Sequence, residues 1–238
     1  MKRSQFSTLA LAVTLSLLKL PAAVAYGPAA IDTSNWRQWQ LPGNVGTVTL
    51  PPDWRTTAND QFGAFEAAGP GGVAVHMGLG GELVDPRSPF ASPSQYGVIV
   101  VPYGDLVSAV EALVPQLSRA NQLRGLPGIT RNGPVRSSPA QSKLGGPSAL
   151  IEFDITKSDR PEVVRVLGYM TSYPLNNGVW GYWTYYAEAP RETLTRNLPV
   201  LIAIAESWRP NGAVTGQNVK RYADAQNAIV EDMIRRRQ

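Results

Sequence analysis

Acid–base chemistry in this chain has one imidazole to draw on, His76, and no thiol: the 238 residues include a single histidine and no cysteine. A serine or cysteine nucleophile needs a base that is itself held by an orienting carboxylate, and zinc sites ordinarily gather more than one imidazole or thiolate. Asp60, Glu66 and Asp85 are the acids that could approach His76. No HExxH, GxSxG or GxxxxGK[ST] string accompanies them. His76 therefore reads as a strand histidine on a semi-exposed face, bonded to a neighbour, and no catalytic, metal-binding or cofactor-binding residue is assigned.

The glycines at Leu144-Gly145-Gly146-Pro147-Ser148 invite comparison with a phosphate loop. They lack its lysine and lead into an extended run instead of a helix, so that reading fails on context. A sharp turn into a strand accounts for them.

The element that organises the rest runs from Gly178 to Arg209. Val179, Trp180, Tyr182, Trp183, Tyr185 and Tyr186 have the aromatic and β-branched bias of a pleated surface. Trp180, Tyr182, Thr184 and Tyr186 point one way, and Val179, Gly181, Trp183, Tyr185 and Ala187 the other, which predicts an interior strand covered on one side and partly on the other. Burial of these rings outweighs the alternative of an aromatic platform for sugars, peptides or single-stranded nucleic acid. A helix follows, with Pro190 in its first turn, an apolar face of Leu194, Leu198, Leu201, Ala205 and Trp208, a bend at Pro199, and a stop at Pro210 and Gly212.

Upstream, strands are expected at Val45–Leu50, Phe62–Ala67 and Val73–Leu79, the last with Val73, Val75, Met77 and Leu79 on one face. A helix over Asp105–Asn121 is capped by Asp105 and carries Leu106, Val110, Leu113 and Leu117 as its stripe, with a bend at Pro115. An irregular strand around Ile129–Ser137, then strands at Leu150–Thr156, Glu162–Ser172 and Val179–Ala187, complete the body. The 80–102 stretch reads as a long loop whose Glu82, Asp85 and Arg87 either line a rim or are simply solvated.

Lys2 and Arg3, an apolar run from Leu9 to Leu18, and Ala23-Val24-Ala25 form a secretory leader cleaved after Ala25. The run is too short to span a bilayer's ~30 Å of hydrocarbon comfortably. With no cysteine there is neither a lipid anchor nor a disulfide, so a soluble periplasmic or extracellular protein is expected. Loss of Lys2, Arg3 and Lys19 with the leader takes the net charge from +4 to +1. Only Arg235-Arg236-Arg237 cluster, so nucleic acid is not an expected partner.

A first strand running into Pro51-Pro52-Asp53-Trp54, a hairpin, a helix, the small-residue string Gly145–Ala149 entering a strand, another hairpin and a last helix ending Ser207-Trp208 resemble the PsbP-like superfamily. That group includes the extrinsic photosystem II subunit PsbP and the Ran-binding Mog proteins. The resemblance covers roughly residues 40–210. It implies an α+β fold, an antiparallel β-sheet flanked by helices on both sides (an α/β/α sandwich). It brings no shared catalytic residue, and it implies action by docking to partners.

The expected organisation is a leader at 1–25, a lead-in at 26–40 whose Trp36 and Trp39 tuck against the body, the domain at 41–210, a linker at 211–216 and an extra C-terminal amphipathic helix at 217–238. Val219, Tyr222, Gln226, Ile229 and Met233 give that helix its stripe. Isolated helices of about twenty residues are marginal in water, so this one must pack on something. Tyr222, Ile229 and Met233 are the candidate partner-binding residues, for another exported or membrane protein or for a second copy of the chain. The mixed charge of the polar face leaves membrane contact peripheral at most. Two functions follow: a non-catalytic module acting through protein contacts, or a carrier of a small ligand or lipid in a pocket between the aromatic strand and a bent helix.

Overall fold

The computed structural model describes residues 31–91, 98–142, 144–218 and 220–221. Among the described residues there are ten strands: β1 (Arg37–Gln40), β2 (Gly46–Leu50), β3 (Arg55–Asn59), β4 (Phe65–Ala68), β5 (Ala74–Val84), β6 (Ile129–Pro139), β7 (Ser148–Lys157), β8 (Arg160–Pro174), β9 (Val179–Pro190) and β10 (Arg209–Pro210). Two helices, α1 (Leu106–Leu123) and α2 (Leu194–Ser207), interrupt them. Seven strands form one antiparallel sheet in the order β3-β4-β5-β9-β8-β7-β6, with the aromatic strand β9 in the middle. A small second sheet, β1-β2-β10, joins the start of the chain to its end.

Alternation along β9 distributes the core between the two helices. Trp180 and Tyr182 pack with Ala109, Val110 and Val114 of α1, while Trp183 and Tyr185 belong to the cluster that holds Leu201 and Ile204 of α2. The helices therefore cover opposite faces of the large sheet, as expected. Asp105 caps α1, its carboxylate accepting the Ser108 N–H at 3.0 Å. Both helices run through their prolines, Pro115 and Pro199. No described helix is long and apolar enough to cross a membrane.

Several boundaries differ from the sequence reading. Pro190 closes β9, and α2 starts only at Leu194. The strand at β5 continues to Val84 through a register shift between His76 and Leu79. Gly78 adopts φ +74° there, and a Cβ on it would meet the Trp208 ring at 3.1 Å. The extra residue reverses the alternation: Val75 and Met77 face α2, whereas Leu83 faces α1. Leu79 thus leaves the face assigned to it. Trp36 packs on the core, but Trp39 is 39% exposed on the edge strand β1. Residues 212–216 of the expected 211–216 linker are helical, and the helix runs on through 218. Asn211 caps them, its carbonyl accepting the Thr215 N–H at 3.0 Å, and Val214 packs against the core.

Candidate functional site

His76 lies buried at 8% exposure on the α1 side of β5, away from the semi-exposed position expected. Its ring stacks on Tyr186 of the paired β9, centroids 4.3 Å apart, which removes the open face. Nδ1 stands 3.3 Å from Glu66 Oε2 on β4. Nε2 stands 3.8 Å from Glu188 Oε1 on β9, too far for a hydrogen bond, and has no such partner among the described residues. Glu188 is also in contact with the Lys157 ammonium at the end of β7, and Thr57 of β3 donates to Glu66 Oε1 at 2.9 Å.

Four strands thus contribute a closed row of charges. Burial works against a charged imidazole, but the carboxylates of Glu188 and Glu66 more than offset it, and the His76 pKa is raised. Burial likewise disfavours an ionised Glu188, yet His76 and Lys157 hold its pKa down at about 2. Glu66 is lowered chiefly by His76. Burial raises Tyr186. Both ring nitrogens face carboxylates, so the imidazole is aimed at no hydroxyl it could deprotonate. Of the three acids expected near it, only Glu66 arrives. Asp60 instead closes the β3–β4 turn, accepting the Phe62 and Ala64 N–H groups, and Asp85 lies at the end of β5. Glu188 and Lys157 went unassigned in the sequence. Glu188 shares the Tyr186 face by alternation, a legible signal, whereas nothing local marks Lys157.

The second site is the rim where β5 ends. Asp85 is buried and its N–H donates to Gly178 O at 2.8 Å, in the turn between β8 and β9. Its carboxylate accepts Arg87 N–H and Nε at 2.9 and 2.8 Å, Arg87 Nη2 at 3.0 Å and the Tyr103 N–H at 2.9 Å. The Arg87 guanidinium, followed by these backbone donors, holds the Asp85 pKa far below the usual carboxylate range. Ser88 Oγ donates to Asn177 O at 2.6 Å, which ties the loop to that turn. A shallow depression of about 430 Å³ results, lined by Arg87, Tyr103, Leu175, Asn177 and Trp180 among others. Phe90, 56% exposed, follows directly, with its N–H on Ser88 Oγ at 3.2 Å.

A further depression of about 370 Å³ lies beside Pro115, lined by Glu111, Arg119, Ile129 and Arg131. It opens between α1 and the edge strand β6, three strands from β9, so it is not the aromatic pocket a carrier would use. Tyr222, Ile229 and Met233 lie outside the described residues.

Fold and sites together define an α+β protein with a central antiparallel sheet, a buried charge row and an aromatic rim. No protein-family model matches the chain, and no curated protein matches it. Its structure is similar to cyanobacterial PsbP from Synechocystis sp. PCC 6803, at 12% identity and TM-score 0.37, covering 79% of this chain and 98% of that one. It is similar also to LpqN of Mycobacterium tuberculosis, involved in cell envelope biogenesis (16%, TM-score 0.32, 68% and 81% covered). The Saccharomyces cerevisiae Ran-binding protein Mog1p is a third (11%, TM-score 0.33, 74% and 95% covered). PsbP and Mog, the two names of the sequence resemblance, are both among these neighbours. Likeness at this level is one of fold, and no residue role is taken from it.

Proposed function

We propose that the chain is an exported, non-catalytic module that binds another exported or membrane protein, and that the rim around Arg87 is its contact surface. The observation that carries this reading is Arg87 itself. Its side chain is 86% exposed, yet two guanidinium N–H groups, with the backbone N–H beside them, are fixed on the buried Asp85 carboxylate. A guanidinium held in place loses little freedom on binding. Phe90, Tyr103 and Leu175 are exposed around it, and arginine with aromatic neighbours is the composition that dominates interface energetics. Exposed apolar groups gathered at one place mark an interaction surface better than scattered ones do.

The test is photo-crosslinking in the native cells with a photo-reactive phenylalanine analogue at position 90. One discrete adduct is expected there and none from Leu123, which is more exposed than Phe90 but lies at the end of α1. Arg87→Glu should cost about 2 kcal/mol of binding, roughly a thirtyfold loss. Absence of any adduct from position 90 rejects the surface. Export has its own check: the mature protein should begin at Tyr26, and an intact mass that retains residues 1–25 contradicts it. The tail helix stays a second contact. Its contribution is best tested by truncation after Arg221, since a cut at Gly212 would also strip Val214 from the core.

A further inference from the structure

The charge row continues past His76 to a place where the chain's C-terminal helix is seated. Glu66 joins β5 to β4 through His76 and joins β4 to β3 through Thr57. The turn linking β3 and β4 is closed by Asp60. On that same turn the C-terminal helix touches the body: Asn218 Nδ2 donates to Gln61 O at 2.6 Å. The Thr215 methyl also lies over Gly63, 3.1 Å from where a Cβ there would sit. We propose that protonated His76 clasps the β3–β4 hairpin to the sheet, and that its deprotonation loosens the hairpin and the seat of the C-terminal helix together.

The groups facing His76 are Glu66 from β4, Glu188 and Tyr186 from β9, and, through Glu188, Lys157 from β7. An imidazolium offers an N–H and a positive charge to both carboxylates. A neutral ring keeps one N–H, so one carboxylate faces a lone pair and the ion-pair attraction to both is lost. Lys157 still balances Glu188 in that state. Glu66 keeps at most an uncharged Nδ1 contact and the Thr57 hydroxyl, and it stands on a four-residue strand next to the sheet's edge. The hairpin is therefore where the loss is felt. Because the folded pKa is raised above the ordinary 6.5, the clasp is complete below that value and is lost as pH rises through the folded pKa.

Hydrogen exchange of the full-length protein, corrected for intrinsic rates, tests this between about pH 6 and about pH 9. In the wild type, protection over residues 55–68 and 211–221 should fall by roughly tenfold on going to high pH, the scale of one charge-assisted hydrogen bond. Residues 164–170 of β8 should hold steady as the reference. His76→Gln should abolish the pH dependence in both segments. Glu66→Gln, at a half-exposed side chain that folding tolerates, should abolish it too and decides the matter if the His76 variant does not fold. A flat wild-type profile, or an unchanged slope in Glu66→Gln, overturns the proposal. A slope over 55–68 with none over 211–221 overturns its extension to the helix.

Discussion

Replacing Trp180 by alanine should cost about 3–5 kcal/mol of unfolding free energy, the range for deleting a large buried aromatic. Trp180 is 1% exposed on the central strand, and it joins three things. Its ring fills the α1 side of the core with Leu83 and Met170. Its Nε1 donates to Val101 O at 3.0 Å, holding the return of the long loop. Tyr103 meets it edge-on, centroids 5.9 Å apart, so the rim rests on the same ring. Trp180→Phe separates these roles. It keeps most of the packing but orphans the Val101 carbonyl, a loss of about 1–3 kcal/mol. Urea denaturation followed by circular dichroism measures both. A loss below about 1 kcal/mol for the alanine variant contradicts the assigned role.

The second large effect is expected at Glu188. It is 6% exposed and faces both the Lys157 ammonium and the His76 ring. Glu188→Ala leaves two cationic partners without their shared counter-charge, a change that costs about 3–5 kcal/mol in buried ion pairs. The pH dependence carries a definite sign. The folded pKa of Glu188 is depressed to about 2 from an ordinary 4.5, so its contribution is whole above 4.5 and is lost as pH falls toward about 2. The wild type should therefore lose stability over that window, and the alanine variant should show a shallower decline. Equal slopes in the two proteins count against a charged, buried Glu188.

What the sequence revealed and what it hid divide along a physical line. The Asp105 cap and the alternating aromatics of β9 are local patterns, and each lands where the pattern puts it, whereas the α1 stripe does so only in its first half: Leu106 and Val110 are buried, but Leu117 is exposed and Ala109 and Val114 fill the core instead. The glycine turn before β7 is equally local: Gly145 takes φ +81°, and a Cβ on Gly146 would strike Ser172 O at 2.0 Å. The strand β3, Arg-Thr-Thr-Ala-Asn, has no apolar alternation and owes its existence to pairing with β4. β1 is exposed throughout, and β10 is two residues long. The bulge at Gly78 cannot be located from alternation alone, because glycines also stand at positions 80 and 81. At the charge row, Glu66 was within reach of a reading by sequence proximity. The contact between Lys157 and Glu188 reaches across β8, and only the strand order creates it. The rim was half legible: Asp85 and Arg87 were marked, but the turn at Asn177 and Gly178 that completes it comes from ninety residues further on.

The small sheet sets an order of events for the newborn chain. β2 lies between β1 and β10, and Ser207 Oγ both accepts the Thr49 N–H and donates to the Thr49 carbonyl, 158 positions away. One flank of an early segment therefore waits for residues 158 positions further along the chain. Closing so long a loop is slow relative to forming hairpins between neighbours. That flank of β2 stays unzipped during synthesis and locks only when Arg209 and Pro210 arrive.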